Sequence, residues 1–116
     1  MRRGAAALVV ERPLGLGVPE IRVPDVRSAM PLVAARFHEH PSASLEVIGV
    51  TGTNGKTTTS FMLRAILEAA GRRCGLLGTV KAAVAGEEMH PALTTPEAID
   101  LQASLRAMVD AGQTPA

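Results

Sequence analysis

The sequence predicts an α/β fold: a parallel sheet with flanking helices, of which this chain holds an incomplete part. An apolar run at residues 45–50 leads into a glycine-rich loop, and a helical run at residues 60–70 leads out of it. A second apolar run at residues 74–80 follows one helix later, which is the order of a parallel strand–helix–strand unit. The length of 116 residues leaves room for about one small domain.

Composition narrows the classes of function. The formal net charge is +1, so no bulk electric field recruits nucleic acid or an acidic membrane. Two Phe residues and no Tyr or Trp argue against a base-stacking platform. The single cysteine, Cys74, excludes an internal disulfide, fits a reducing cytosol, and is expected to be a small buried hydrophobe. No stretch is long enough to span a bilayer, so no membrane insertion is expected.

Residues 1–44 are predicted to form two short strands and one helix. Residues 5–10 and 21–23 read as short strands separated by a Pro- and Gly-rich stretch. Asp25 or Ser28 is expected to cap the helix that follows, which should end before Pro41. These elements bury no core of their own, so this part of the chain is expected to be the tail of a separate α/β domain.

The glycine-rich loop, residues 49–59, reads GVTGTNGKTTT. Gly52 and Gly55 have no Cβ atom, so the backbone can turn tightly and approach a phosphate. Consecutive N–H groups then form an anion-binding nest at a helix N-terminus. Lys56 can reach the β- and γ-phosphates, and the Thr57 hydroxyl is placed to hold Mg²⁺. The sequence therefore predicts a nucleotide phosphate site of the P-loop type.

One departure leaves an alternative open at the loop. Val50 stands where the widest form of the motif has its first glycine, so a chance Gly-Lys-Thr turn on the surface is the alternative interpretation. The predicted strand before the loop, and the predicted helix 57–70 that ends at Gly71, favour phosphate binding.

A third helix is predicted near the C-terminal end of the sequence. Thr95 is expected at its N-cap, Pro96 at the first helical position, and Gly112 at its end. Residues 81–92, which precede it, read as a hairpin or excursion. Its apolar side is formed by Ile99, Leu101, Leu105, Met108 and Val109.

Three segments together resemble the Mur ligases, the ATP-dependent amide-bond ligases of peptidoglycan precursor synthesis. They are GVTGTNGKTTT at 49–59, GLLGTV at 75–80 and LTTPE at 93–97, and the resemblance is strongest to members that add the third peptide residue. The resemblance implies that ATP is bound by Gly52, Thr53, Asn54, Gly55, Lys56, Thr57 and Thr58. It also implies that Thr94 and Thr95 contact the UDP-linked substrate, whereas the local reading alone makes them a helix cap.

The resemblance implies a reaction as well. ATP phosphorylates the free acceptor carboxylate of UDP-N-acetylmuramoyl-L-alanyl-D-glutamate, and the amine of a diamino acid attacks the acyl phosphate. Family frequency favours meso-diaminopimelate over L-lysine as that diamino acid. Lys56 would stabilise the transferring phosphoryl group and is the implied catalytic residue, with ATP and Mg²⁺ as cofactors. Such an enzyme works in the cytoplasm, and no nucleic acid and no partner protein is implied.

The resemblance also implies a division of the chain. Residues 1–44 correspond to the C-terminal part of a UDP-substrate-binding domain, and residues 45–116 to the N-terminal part of a central ATP-binding domain. The chain is then a fragment that is itself inactive, since the rest of the catalytic apparatus lies outside it. Two alternatives remain: an inactive nucleotide-binding remnant, or a fragment of a related ligase such as folylpolyglutamate synthetase.

Overall fold

The computed structural model describes residues 4–78, 82–84, 87–89 and 97–113. It is a mixed α/β arrangement, which confirms the predicted class at that level. The described strands are Leu8–Val10 (β1), Glu20–Arg22 (β2), Leu76–Leu77 (β3), Ala82–Val84 (β4) and Glu87–Met89 (β5). The helices are Val26–Phe37 (α1), Lys56–Ala69 (α2) and Ala98–Asp110 (α3), with a 3₁₀ turn at Pro41–Ser44. None of the described helices is long and apolar enough to cross a membrane.

The two N-terminal strands form a small parallel sheet, with Val9 opposite Ile21. Their connection contains no helix among its residues, although parallel strands usually need one. A carboxylate fixes this connection instead: Glu20 accepts hydrogen bonds from the backbone N–H groups of Leu14 at 3.1 Å and Gly15 at 3.0 Å. The sequence predicted both strands: β1 is shorter than its predicted range of 5–10, and β2 is shifted by one residue from 21–23.

Helix α1 begins at Val26 and is capped by Asp25, one of the two predicted caps. Its carboxylate accepts hydrogen bonds from the N–H groups of Arg27 at 3.0 Å and Ser28 at 3.1 Å. Pro31 consequently lies inside the helix. Because proline has no N–H, the carbonyl of Arg27 loses its bond from the residue four positions on. The helix ends at Phe37, before Pro41 as predicted.

The predicted strand at residues 45–50 is wrong for this structure. Only Glu46 makes an isolated bridge, and residues 47–50 belong to no described strand. Val47 and Ile48 are 54% and 44% exposed, so both faces of the segment are open. Apolar side chains on both faces are typical of a central parallel strand, but such a strand needs hydrogen-bonding neighbours. No strand among the described residues pairs with residues 47–50, which removes the reason for the segment to be a strand.

Within the predicted strand 74–80 the described residues form β3 at 76–77, which pairs antiparallel with β4, Leu77 lying opposite Ala82. Residues 79 and 80 lie outside the described residues. The predicted parallel pair of 45–50 and 74–80, joined by α2, is therefore wrong. Pairing with β4 closes a short loop, whereas the parallel pair depended on the strand that does not form. The hairpin predicted within residues 81–92 is confirmed by the antiparallel pairing of β4 and β5.

Helix α2 agrees with its prediction to within one residue at each end. It ends with Gly71 in the left-handed conformation, φ +80°. The Gly71 N–H donates to the Glu68 carbonyl at 2.9 Å and the Arg72 N–H donates to the Leu67 carbonyl at 3.0 Å. This bond pattern is the common helix ending that favours glycine, which is why the sequence predicted the boundary.

The start of α3 differs from its prediction. The helix begins at Ala98 and Glu97 is its N-cap, so the predicted N-cap at Thr95 and first position at Pro96 are wrong. Glu97 has extended backbone angles, and its carbonyl accepts the first intrahelical bond from Leu101 at 2.9 Å. Thr95 and Pro96 themselves lie outside the described residues. The predicted end of the helix at Gly112 is confirmed, since Gly112 has φ +69°.

The buried core of the described residues lies mainly under α3. Leu105 and Met108 are its centre, and Leu45 and Leu77 pack against them. Helix α2 contributes no fully buried residue. The radius of gyration is 17.1 Å, where a compact domain of this length has about 13 Å. Residues 51–59 are all exposed, so the phosphate-site loop lies outside this core.

Candidate phosphate-binding site

The predicted phosphate loop is a backbone turn that ends at the start of α2. Gly52 has φ +150° and Gly55 has φ +78°, both in a region that residues with a Cβ rarely adopt. A Cβ on Gly55 would meet no atom within 4 Å, so the requirement for glycine there is conformational and not steric. All of residues 51–59 are exposed. The loop therefore presents its backbone to solvent in a conformation that its two glycines permit.

The first turn of α2 offers a set of N–H donors. The first intrahelical bond runs from the Thr59 N–H to the Gly55 carbonyl at 2.9 Å. The N–H groups of Lys56, Thr57 and Thr58 precede it, so they have no partner within the helix. Gly55 has no side chain to cap them. Together with the positive end of the helix dipole, these donors form a place where an anion is stabilised.

Lys56 adds a full positive charge at the same place. Its ammonium Nζ lies 2.5 Å from the Gly52 carbonyl oxygen and 3.5 Å from the Thr53 carbonyl oxygen, so the side chain folds back over the loop. This direction is expected, because side chains on a helix lean toward its N-terminus. The charge therefore lies next to the loop carbonyls.

The other predicted site residues divide into two groups. Thr53, Asn54, Thr57 and Thr58 are exposed on the loop and on the first turn of α2, next to Lys56. Thr94 and Thr95 lie outside the described residues, so their predicted place near the loop stays a prediction. The Thr57 hydroxyl is a hard oxygen ligand of the kind that Mg²⁺ prefers. No group of three or more His, Cys, Asp or Glu side chains in the described ranges is arranged to hold a metal by itself.

An apolar groove lies directly beside the loop helix. It has a volume of about 250 Å³ and runs between the 47–50 segment, α2, β3 and α3. Leu63 and Leu67 of α2 form one wall, and Leu101 and Leu105 of α3 form another. Its charged lining residue, Arg64, donates to Glu68 at 2.7 Å. The groove has no polar set suited to phosphate, which leaves the loop as the candidate site.

Sequence reasoning missed two contacts that hold α3 in place. Arg106 pairs with Asp110 in the next turn and reaches Glu39, at the end of α1, at 3.5 Å. The hydrogen bond from Arg106 holds the pKa of Asp110 below its usual value. Gln113 is buried and its side-chain Nε2 donates to the Cys74 carbonyl at 3.2 Å. No motif marks the contacts of Arg106 with Glu39 and of Gln113 with Cys74, because each joins residues far apart in the sequence.

Cys74 is buried, as predicted, and 4% exposed. Burial raises the pKa of its thiol, with a further contribution from the charge of Glu68. A raised pKa keeps the sulfur protonated and unreactive, so Cys74 acts as a packing residue and not as a nucleophile.

Comparison with known families agrees with the resemblance drawn from the motifs. The sequence pattern of the Mur ligase middle domain matches residues 50–116, which is the part that contains the loop, α2 and α3. A solved structure of a UDP-N-acetylmuramoyl-L-alanyl-D-glutamate–2,6-diaminopimelate ligase superimposes with a TM-score of 0.78 at 33% identity. That alignment covers 99% of this chain and 23% of the ligase.

Two relatives show the same similarity in sequence. A UDP-N-acetylmuramoyl-L-alanyl-D-glutamate–2,6-diaminopimelate ligase from Geobacillus thermodenitrificans is 47% identical over 113 residues, which is 97% of this chain. A UDP-N-acetylmuramyl-tripeptide synthetase from a Roseiflexus species is 47% identical over 118 residues. The chain spans 23% of the length of each of these two relatives. The chain, with its middle-domain match over more than half its residues, belongs to the Mur ligase family.

Proposed function

We propose that these residues are part of an ATP-dependent ligase that joins a diamino acid to UDP-N-acetylmuramoyl-L-alanyl-D-glutamate. The observation that carries the proposal is the loop at the start of α2. Two glycines with positive φ, three N–H donors and the Lys56 ammonium converge at one exposed place. The similarity to ligases whose names state this substrate and 2,6-diaminopimelate supports the choice of reaction.

In this proposal the chain supplies the phosphate end of the ATP site. The N–H groups of Lys56, Thr57 and Thr58 bind phosphate oxygens, and Gly52–Gly55 let the backbone come close to them. The Lys56 ammonium offsets the charge that moves with the γ-phosphoryl group. The Thr57 hydroxyl would be one ligand of Mg²⁺, which supplies further neutralisation of the phosphates when it is bound.

The remaining assignments follow from the family and are part of the same proposal. Thr94 and Thr95 would contact the anionic UDP-linked substrate near the start of α3. Residues 1–44 would be the C-terminal part of a UDP-substrate-binding domain, and residues 45–116 would be the N-terminal part of the ATP-binding domain. The reaction would run in the cytoplasm through an acyl phosphate, whose acyl carbon is attacked by the diamino acid amine, with phosphate leaving. Residues 1–116 alone would be inactive, because they span about a quarter of the relatives' length.

The proposal can be tested with a chimeric enzyme, in which residues 1–116 replace the matching segment of the Geobacillus thermodenitrificans relative. We call this chimera the grafted ligase. Purified grafted ligase is given ATP, Mg²⁺, UDP-N-acetylmuramoyl-L-alanyl-D-glutamate and meso-diaminopimelate, and the UDP-linked tripeptide is measured by mass spectrometry. We expect ATP-dependent product, and none from the chain of residues 1–116 alone. A folded grafted ligase that makes no product, or makes it equally well without ATP, would refute the proposal.

A second assay separates the substrate assignment from the reaction class. L-Lysine replaces meso-diaminopimelate at the same concentration, and folate with glutamate replaces the UDP-linked substrate. We expect product only with the UDP-linked substrate. Product from folate and glutamate would instead assign residues 1–116 to a folylpolyglutamate synthetase.

A further inference from the structure

The Lys56 ammonium already has partners in the structure, and both are carbonyl oxygens of the loop. It lies 2.5 Å from the Gly52 oxygen and 3.5 Å from the Thr53 oxygen. This contact of Lys56 with two successive loop carbonyls ties the start of α2 to the turn before it.

Other restraints on this turn are few. Residues 51–59 are exposed, so side-chain packing does not hold the loop. Gly55 provides no side-chain cap, and its carbonyl accepts a hydrogen bond from the Thr59 N–H. Among the side-chain hydrogen bonds in the described part of the chain, those that reach the carbonyls of residues 51–55 come from Lys56. Gly52, with no Cβ and φ +150°, is the residue with the most freedom to leave this conformation.

We infer that Lys56 has a second role before any ligand binds: its ammonium holds the phosphate loop closed on itself, and a polyphosphate takes over this cation when it enters. The loop is then ordered in advance, because the same charge that will meet the ligand first bonds to the loop carbonyls. The holding role depends only on the contacts above. The exchange of partners rests on the proposed function.

The contrast with Arg64 provides a matched control. Arg64 is the next cation along α2, two turns further on, and it bonds to Glu68 within the same helix. Replacing either residue with Met removes one positive charge from α2 and keeps an unbranched side chain with good helix propensity. Only the change at Lys56 removes a bond to the loop.

The experiment measures backbone order of Gly52, Thr53, Asn54 and Gly55 by ¹⁵N NMR relaxation on the ligand-free chain. In the wild-type chain and in Arg64→Met we expect order parameters near about 0.85, as in a rigid backbone. In Lys56→Met we expect values below about 0.6, as in a flexible one. Lys56→Arg, which keeps a cation and its donors, should retain most of the order. Equal order in the wild type and Lys56→Met, or a wild-type loop that is already flexible, would overturn the inference.

A second arm adds tripolyphosphate and follows the amide signals of the loop. We expect the wild-type signals to shift at saturation and to stay ordered, and Lys56→Met to need at least a tenfold higher concentration. If tripolyphosphate moves no loop signal in the wild type, the proposed function fails while the ligand-free comparison still decides the holding role. If it binds equally well to Lys56→Met, the exchange of partners is refuted.

Discussion

Gly75 packs against Met108 in the core: a Cβ atom on Gly75 would overlap the Met108 sulfur. Met108 is completely buried, and a methyl group at position 75 would force its side chain to move. Glycine at position 75 is therefore what allows β3 to approach α3.

Gly75→Ala is expected to destabilise the chain. The added methyl group overlaps Met108 in a packed interior, which costs about 1–3 kcal/mol. Gly49→Ala is the control, since a Cβ there meets nothing within 4 Å and Gly49 has no positive φ. Urea unfolding followed by circular dichroism gives both free energies of unfolding. Equal values for the two variants would show that Gly75 and Met108 are not packed in this way.

Gly55→Ala is expected to destabilise the start of α2 for a different reason. Its Cβ would meet no atom within 4 Å, but φ +78° is a left-handed conformation. For a residue with a Cβ this conformation costs about 1–2 kcal/mol. We expect a lower free energy of unfolding than for Gly49→Ala, and faster hydrogen exchange of the Thr59 amide, which bonds to the Gly55 carbonyl. Unchanged exchange at Thr59 would contradict the assigned loop conformation.

The Asp25 carboxyl should make the stability of the fold depend on pH. The hydrogen bond from the Ser28 side chain, with the bond from the Arg27 N–H, lowers the pKa of Asp25 from 3.8. A carboxyl whose pKa is lower in the folded state than in the unfolded state stabilises the fold above the unfolded pKa. This contribution is present above pH 3.8 and is lost as the pH falls through the folded value.

The variant Asp25→Asn keeps a capping oxygen but cannot titrate. We therefore expect its melting temperature to fall less steeply than that of the wild type between pH 4 and pH 2. Melting curves recorded across this range by circular dichroism test the prediction. Parallel curves for the two proteins would show that Asp25 titrates as it does in the unfolded chain.

Cys74 should resist thiol reagents in the folded chain. It is 4% exposed, and burial raises the pKa of its thiol, so both access and thiolate fraction are reduced. At pH 8 we expect labelling by a disulfide reagent to be at least about a hundredfold slower in buffer than in urea. Rapid labelling without denaturant would show that the core around α3 opens readily.

Several elements could be predicted from the sequence because they depend on neighbouring residues. The Asp25 cap and the Gly71 helix end each use a side chain or a φ angle that one residue type provides. Helix α2 follows from the apolar spacing after the GKT segment. The glycines and Lys56 of the phosphate loop are likewise local, and the structure places them together at one helix N-terminus.

The elements that could not be predicted depend on distant partners. The 45–50 segment has the composition of a central strand, but strand formation needs neighbours that the described residues do not supply. The contact of Gly75 with Met108 could not be predicted from neighbouring residues. Gly75 has no positive φ, so its backbone conformation does not require glycine. The bond of Lys56 to the Gly52 carbonyl could not be predicted for another reason. The motif predicts that the lysine binds phosphate and gives no reason to expect a contact with the loop backbone.

The kcat of Lys56→Ala in the grafted ligase tests the central claim most directly. Lys56 is exposed and packs against no core residue, so its loss should leave the fold intact by circular dichroism. Loss of a preorganised charge at the transferring phosphoryl group should lower kcat by about 10²–10³-fold at saturating ATP. Arg64→Ala, which removes a cation from the same helix without touching the loop, should keep kcat within a few-fold of the parent. Near-normal turnover of Lys56→Ala would contradict the assignment of residues 52–58 as the phosphate site.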